Sequence, residues 1–270
     1  MHVLKVFRLS FFTLFTVLSA TAALAQTATQ AKPTGQFEPR VGQPGKDVVW
    51  VPTPQALVDR MLDIAKVTPN DFVMDLGSGD GRTVITAAKR GATAMGVEFN
   101  PDMVALSKAA AQKAGVSNKA TFVEGDLFKA DLSKATVITM FLLPSINMQL
   151  RPSLLNLKPG TRIVANTFTM EDWQADQTES VTDNCSSWCT ALLWIVPAKV
   201  QGTWKTPQGN LTLTQEFQML TGNLSGTPIT GGKMNGDQIS FTVGGTTYNG
   251  RVNGAGNSIG GGNLTATKLN

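Results

Sequence analysis

A glycine-rich turn that contains acidic residues is the stretch of this sequence best suited to hold a ligand. Gly77, Gly79 and Gly81 alternate directly after the apolar run of residues 72–76, and a helical pattern follows at once. Glycine permits a positive φ and lets a ligand approach the backbone closely. We therefore predict a strand, a tight turn and a helix whose first N–H groups face a ligand. An ordinary strand-turn-helix corner without a ligand is the alternative interpretation.

The acids indicate the charge of that ligand. Asp75 precedes the turn and Asp80 lies inside it. The dinucleotide fingerprint G-x-G-x-x-G brings a pyrophosphate against the turn, and carboxylates there would repel it. A Walker A loop is excluded because no Gly-Lys-Ser/Thr sequence follows. S-adenosylmethionine fits better, because it combines an ammonium and a sulfonium group with a carboxylate and a ribose.

The turn at residues 75–81 resembles the first motif of the class I S-adenosylmethionine-dependent methyltransferases. This resemblance implies that Asp75, Gly77, Ser78 and Gly79 contact the cofactor. It also implies an enzyme that transfers a methyl group from S-adenosyl-L-methionine.

Two further acids follow predicted strands. Glu98 ends the strand predicted over residues 93–97, about 20 residues after the glycine turn, which is the spacing at which an acid meets a ribose diol. A carboxylate can accept both hydroxyl groups. Asp126 follows a third short strand, and the resemblance implies that it accepts from the adenine amine, with Leu127 and Phe128 beside the ring. The alternatives are a surface glutamate and an aspartate that only shapes a turn.

The elements around these residues predict the fold. Strand and helix patterns alternate five times, and an antiparallel pair at residues 179–184 and 190–196 follows. We predict a doubly wound, mostly parallel seven-stranded sheet, in which ligands bind beyond the carboxyl ends of the strands. The most hydrophobic strand is predicted over residues 136–143, with Pro144 stopping it and a helix from Met148 following. Phe141 and Pro144 are expected on the substrate side of the site.

Residues 125–132 and 150–164 sharpen the resemblance. They look like the branch that includes lysine methyltransferases acting on the ATP synthase c-subunit and on the adenine nucleotide translocase. The resemblance covers roughly residues 48–197, and we place the methyltransferase domain at residues 48–199. It implies an acceptor that is a protein lysine or another amine. Residues 140–144, at the end of the fourth predicted strand, depart from the pattern of that branch. The acceptor itself stays open, as either a protein or a small molecule.

Composition narrows the chemistry. The net charge of +4 is too small and dispersed to indicate a nucleic-acid partner. The single histidine is His2, which lies in a segment expected to be removed. A mature chain without histidine can have neither a Ser-His-Asp mechanism nor histidine metal ligands. Glu171 and Asp172 could act as a base or could cap a helix, so no catalytic residue is assigned.

The N-terminus predicts export. Residues 1–25 have a basic start, an apolar stretch and the small-x-small site Ala23-Leu24-Ala25, which together indicate a cleaved signal peptide and a periplasmic or secreted protein. An uncleaved anchor is the alternative, and no transmembrane segment is expected after cleavage. Residues 26–47 are predicted to be a linker or a draped arm. Export also permits a disulfide between Cys185 and Cys189, provided that the three residues between them turn sharply; two packed thiols are the alternative.

Residues 200–270 change character to short alternating segments rich in glycine. The hairpin signals Asn235-Gly236, Gly244-Gly245 and Asn253-Gly254 predict about six strands in a small meander or barrel, with Trp204 closing one end. This module could dock on the first domain, bind a ligand or mediate assembly. The alternative function for the whole chain is therefore an exported, non-catalytic scaffold or binding protein with a ligand- or partner-binding β domain.

Overall fold

A computed structural model describes residues 37–269 of the chain. The predicted signal peptide lies outside the described residues, as does the predicted linker before residue 37. No helix in residues 37–269 is long and apolar enough to span a membrane. The α-helices of this part are α1 Gln55–Ile64, α2 Arg82–Lys89, α3 Pro101–Lys113 and α4 Pro144–Leu154.

The first sheet has seven strands. They are β1 Phe72–Leu76, β2 Thr93–Glu98, β3 Ala120–Glu124, β4 Val137–Met140, β5 Arg162–Asn166, β6 Gln177–Ser180 and β7 Thr190–Ile195. Their order is β3-β2-β1-β4-β5-β7-β6. Strands β1 to β5 are parallel, whereas β7 is antiparallel to both β5 and β6. This topology confirms the predicted doubly wound sheet, and its strand order reverses between β1 and β4, where such folds bind ligands.

Two apolar cores cover the faces of this sheet. Helices α1, α2 and α3 contribute to one core, and α4 packs in the other with Trp173 and Trp194. All four residues of β4 are buried, as expected for a central strand covered on both faces. The Trp194 Nε1–H donates to the Trp173 carbonyl at 2.7 Å, which satisfies that polar group inside the core.

The end of β4 differs from the prediction. The strand stops at Met140, residues 141–143 leave the sheet, and Pro144 is the first residue of α4. Proline suits this position because its fixed φ matches a helix and the first helical N–H groups need no partner within the helix. Pro144 therefore starts a helix, which begins earlier than the predicted start at Met148.

The second sheet is a closed barrel. Its strands are β8 Gly202–Thr206, β9 Gly209–Glu216, β10 Met219–Leu224, β11 Thr227–Pro228, β12 Thr230–Asn235, β13 Gln238–Val243, β14 Thr246–Val252, β15 Ser258–Gly260 and β16 Ala266–Lys268. The ring closes because β8 pairs with β16 and β9 pairs with β10, while the two-residue β11 adds only to β10. Buried apolar side chains, including Trp204 and Phe241, fill the interior.

The predicted number of about six strands was wrong for this barrel. The turn between β9 and β10 has no glycine, and Phe217 adopts a φ of +51° there. The Phe217 ring stacks on Trp173 at 5.9 Å between ring centroids, and the Arg151 guanidinium lies 5.3 Å from its centre. A contact with the first domain therefore holds this turn, which sequence patterns of turn residues could not indicate.

The barrel packs at the amino ends of the parallel strands. Gly236, between β12 and β13, lies so near Gly160 that a Cβ at Gly236 would be 3.0 Å from the Gly160 Cα. The Ala198 N–H donates to the Gly236 carbonyl at 2.8 Å, and the Lys233 Nζ lies 3.0 Å from the Asp176 Oδ1. Since Gly160 precedes β5, the barrel contacts the edge of the sheet opposite to the one where ligands are expected.

Candidate functional site

A crevice lies beyond the carboxyl ends of β1, β2, β3 and β4. Its volume is about 1030 Å³ including the open mouth. The residues predicted to contact a cofactor line it, with the exception of Phe128: they are Asp75, Gly77, Ser78, Gly79, Glu98, Asp126 and Leu127. The three strand-tip acids thus surround one cavity. The barrel contributes none of the described lining residues.

Asp75 is the buried acid of the crevice. Its side chain is 6% exposed, and its Oδ1 accepts a hydrogen bond from the Thr139 hydroxyl at 2.6 Å. Burial raises the pKa of Asp75 from 3.8 to about 7, a value that includes a lowering by the hydrogen bond from Thr139 and a raising by the negative charges of Asp80 and Glu98. A cation bound nearby would favour the ionised form, because it would supply the missing opposite charge.

The glycine turn has the expected backbone conformation. Gly77, Gly79 and Gly81 have φ values of +76°, +53° and +78°. A Cβ at Gly81 would lie 2.7 Å from the Phe122 ring, so packing as well as φ requires glycine there. At Gly79 a Cβ would lie 2.5 Å from the indole nitrogen of Trp50.

The N–H groups of the turn itself have partners within the protein. Those of Gly77 and Ser78 donate to the Val97 carbonyl at 2.9 and 3.1 Å, and that of Gly79 donates to the Glu98 Oε2 at 2.9 Å. These groups hold the turn against β2 and are not left for a ligand. The first turn of α2 still borders the crevice through Arg82 and Thr83, without a side-chain cap on the helix.

Asp80 does not act as a free acid. The Arg82 guanidinium donates to both of its carboxylate oxygens, with the Arg82 Nη2 at 2.5 Å from the Oδ2. The same guanidinium donates through Nη1 to the Thr53 carbonyl at 2.9 Å. The two acids expected to act alike are therefore one buried carboxyl group and one ion pair, and Arg82 adds a cationic group that the sequence patterns did not indicate.

Glu98 and Asp126 are both tied to neighbouring groups. The Glu98 Oε1 accepts from the Asn100 N–H at 2.9 Å, so each of its oxygens holds a backbone N–H and keeps one free lone-pair site. The Asp126 Oδ2 accepts from the Lys46 Nζ at 2.9 Å. This hydrogen bond lowers the pKa of Asp126 and raises the pKa of Lys46. Phe128, expected beside the cofactor, instead lines a separate groove with Leu150.

Residues 42–50, which we name the arm, form a hairpin that covers part of the crevice. The Gly42 N–H donates to the Trp50 carbonyl at 2.8 Å, and the Trp50 N–H donates to the Gln43 carbonyl at 2.9 Å. Most of this hairpin falls in the segment predicted to be a linker or a draped arm, and residues 43–50 line the crevice, which agrees with the second alternative. Lys46, besides its contact with Asp126, lies 5.2 Å above the ring of Phe99, an exposed aromatic of the crevice that the sequence patterns also did not indicate.

A second, apolar groove adjoins the crevice and shares part of the arm and Phe141 with it. We name it the acceptor groove, and its volume is about 1010 Å³ including the open mouth. The Phe141 ring stacks on Phe168 with 5.9 Å between centroids and meets Trp188 at 6.0 Å. Pro144, expected here with Phe141, lies exposed at the start of α4 and lines neither cavity.

Neither acid considered as a base reaches these cavities. Asp172 is ion-paired with Arg151, and Glu171 lies exposed beside it with a φ of +54°. The residues lining the acceptor groove include one carboxylate, Asp47 of the arm. The loop that carries Trp188 is closed by a disulfide between Cys185 and Cys189, whose Cα atoms are 5.8 Å apart. The intervening residues thus make the sharp turn that the bridge requires.

Known proteins that are similar to this chain are methyltransferases, which agrees with a cofactor crevice at this edge of the sheet. A family model described as the ANTKMT methyltransferase domain matches residues 75–177. The chain is 47% identical over 139 residues to a protein-lysine N-methyltransferase of Saccharolobus islandicus, a match that covers 50% of this chain and 86% of that protein. It is 40% identical over 130 residues to the mouse lysine N-methyltransferase named for the ATP synthase c-subunit, covering 48% of this chain and 52% of that protein.

A solved structure gives the same result for the fold. An RNA methyltransferase from Salinibacter ruber, crystallised with S-adenosyl-L-homocysteine, superposes with a TM-score of 0.52 at 45% identity, covering 56% of this chain and 96% of that chain. The crevice, the strand order and these relatives lead to one conclusion: this chain belongs to the S-adenosylmethionine-dependent methyltransferases, in the branch that contains the ANTKMT methyltransferase domain and the archaeal protein-lysine N-methyltransferase.

Proposed function

We propose that this enzyme methylates a lysine amine of a protein outside the cytoplasm, with the crevice as its cofactor site. The observation that carries the proposal is the meeting of two cavities with different chemistry. The crevice is bordered by Asp75, Glu98 and Asp126, whereas the adjoining acceptor groove is mainly apolar and aromatic. Acids suit a cationic cofactor, and an apolar passage suits the aliphatic stem of a lysine side chain.

The residues of the crevice fit the parts of S-adenosylmethionine. Asp75 would face its cationic groups, the free lone pairs of Glu98 would accept from the ribose hydroxyls, and Asp126 with Leu127 would meet the adenine. The uncapped first turn of α2 and Arg82 would face the carboxylate of the cofactor, because helix N-termini and guanidinium groups favour anions. When bound, the cofactor supplies an electrophilic methyl group on a sulfonium.

The chain's own contribution to the reaction is alignment and desolvation. An amine attacks only when its lone pair is free, and apolar surroundings favour the neutral amine over the ammonium ion. Phe141, Phe168 and Trp188 supply such surroundings next to the crevice. Holding the two reactants in line accounts for several kcal/mol of rate enhancement in enzymes of this kind, roughly 7–11 at best. The proton leaves to water or to Asp47, the carboxylate of the groove.

The test of the cofactor site uses Asp75→Asn and Glu98→Ala with calorimetry. Each variant should bind S-adenosyl-L-homocysteine at least tenfold more weakly while remaining folded, with a single cooperative thermal transition. Ser133→Ala, at an exposed position away from the crevice, is the matched control. Unchanged affinity in both acid variants would remove these two residues from the cofactor site.

The test of the acceptor uses labelled S-adenosylmethionine and a cell-envelope extract. Mass spectrometry of the labelled product should place the methyl group on a lysine Nζ. Label on RNA would favour the activity in the name of the Salinibacter ruber relative instead. Label on a small molecule would leave the fold's activity in place and reject a protein acceptor.

The proposal of export has its own support. Residues 1–25 have the composition of a signal peptide, and the Cys185–Cys189 disulfide is of the kind that persists in oxidising compartments. Cell fractionation and N-terminal sequencing test it. We expect a periplasmic or secreted chain that begins at Gln26. A cytoplasmic chain with reduced thiols would contradict export.

A further inference from the structure

The disulfide loop carries an aromatic residue into the acceptor groove in an unusual backbone conformation. Trp188 has a φ of +53°, and Asn184, just before the bridge, has a φ of +54°. A bulky side chain rarely adopts positive φ, so the surroundings must hold Trp188 in this conformation. The bridge to Cys185 begins at the residue after Trp188 and fixes the loop at that point.

The disulfide loop holds Trp188 at the mouth of the acceptor groove. Trp188 is 44% exposed, so its ring is partly open to an incoming molecule while its other part meets Phe141. Val49 at 56% and Leu143 at 43% exposure lie on the same groove. Three exposed apolar side chains around one opening form a surface that favours an apolar partner.

The charged residues of the groove further restrict the chemical class of its partner. Its charged lining residues are Lys46, which is paired with Asp126, and Asp47, whose Oδ2 lies 3.7 Å from the Lys46 Nζ. An acidic or phosphate-bearing segment would find no unpaired cation among these residues. A lysine side chain would find an apolar and aromatic lining against which its methylene groups can pack.

We propose that Trp188, held by the Cys185–Cys189 disulfide, is the residue that selects the acceptor, and that it favours a lysine flanked by apolar residues. This inference rests on the proposed function, because it assigns the groove to the methyl acceptor. Trp188 is a specificity-determining and positioning residue: it contacts the acceptor and leaves cofactor binding unchanged.

The experiment compares two fluorescein-labelled peptides that contain one lysine, flanked by leucine and valine in the first and by serine in the second. Fluorescence anisotropy measures their binding to the full chain in the presence of saturating S-adenosyl-L-homocysteine. We expect the unchanged chain to prefer the apolar peptide. Trp188→Ala should bind that peptide about tenfold more weakly, which corresponds to about 1.4 kcal/mol, whereas Trp188→Phe should retain most of the binding.

Two further variants test whether the effect on peptide binding is specific to the Trp188 loop or common to exposed apolar residues. Cys185→Ser combined with Cys189→Ser should also weaken binding of the apolar peptide several-fold, because the loop is released. The matched control is Met219→Ala, because Met219 is an apolar residue of the barrel that is 53% exposed. This variant should leave binding of both peptides unchanged. All variants should keep the affinity of the unchanged chain for S-adenosyl-L-homocysteine.

Equal binding of the apolar peptide by Trp188→Ala and by the unchanged chain would overturn the inference. So would equal binding of the two peptides, or binding of neither, by the unchanged chain. Transfer of labelled methyl to the same peptides tests the proposed function separately. Selective binding without transfer would reject lysine methylation and keep Trp188 as the determinant of what enters the groove. With transfer, Trp188→Ala should raise KM for the peptide and leave kcat nearly unchanged.

Discussion

The two sheets of this protein differ in whether they leave room for a ligand. The first is open, and its parallel strands end at one edge, where the loops that follow them border a crevice. The second closes on itself, and its interior is filled by side chains such as Trp204 and Phe241. An open parallel sheet thus offers a ligand site at its strand tips, whereas a filled barrel offers only its outer surface.

The comparison predicts that stability and ligand affinity can be disturbed separately. Trp204→Ala should have the largest effect, because the side chain is fully buried and its Nε1–H donates to the Val200 carbonyl at 2.8 Å. Such truncations cost about 3–5 kcal/mol. Chemical denaturation should show this loss, and calorimetry on the folded fraction should show unchanged cofactor affinity. A matching loss of affinity would mean that the barrel helps to shape the crevice.

Asp75→Asn should raise stability and weaken cofactor binding, whereas Trp204→Ala should lower stability and leave cofactor binding unchanged. Folding raises the pKa of Asp75 from 3.8 to about 7, so the folded chain holds this proton more tightly and loses stability as pH rises from about 4 toward 7. Above pH 7 the neutral asparagine avoids a cost on the order of 4 kcal/mol, at about 1.36 kcal/mol per pKa unit. The variant should therefore be more stable at pH 8 in denaturant titrations and bind the cofactor more weakly. Lower stability at that pH would contradict the assigned burial cost.

The pH dependence of cofactor binding should follow the same group. Below about pH 7 the Asp75 carboxyl is protonated, and binding of a cationic cofactor must release that proton. Affinity should fall up to tenfold per pH unit between pH 7 and pH 5.5, measured by calorimetry in buffers of different ionisation enthalpy. An identical profile in Asp75→Asn would assign the proton to another group.

Lys46→Ala should have the smallest effect. The Lys46–Asp126 pair is partly exposed, and solvent screens such pairs so that they contribute little to stability. The variant should release the arm and increase the cofactor dissociation rate by up to about fivefold in stopped-flow measurements, with little change in thermal unfolding. High salt should reproduce the increase in the unchanged chain. Lys205→Ala on the exposed face of the barrel is the matched control, and an equal change there would point to a general charge effect.

Much of the fold could be predicted because the signals were local. Alternating strand and helix patterns, the glycine turn and the acids after strands are encoded in short segments, and general rules of connection limit the sheet orders that are possible. Those acids could be placed at one edge for the same reason. The barrel was harder, since its Phe217 turn depends on a ring contact with Trp173 across domains rather than on turn residues.

The contacts within the site could not be predicted from residue types alone. The Arg82 fork on Asp80 and the Lys46 bridge to Asp126 require knowing which side chains point toward each other. Residues 42–47 of the arm have a composition typical of a linker, and its hairpin bonds are between backbone groups, which leave no mark in composition. Phe99 carried the one usable signal, an aromatic residue directly after the acid at the end of β2.

The close approach of Gly236 to Gly160 has a consequence for how this architecture tolerates change. A side chain as small as a methyl group at Gly236 would meet the backbone ahead of β5, so the joint between the two sheets admits almost no variation at that position. Exposed side chains on the barrel strands, such as Lys205 and Met219, are under no such restriction. A protein built in this way can acquire new surface chemistry on one module while the geometry of methyl transfer on the other is left untouched.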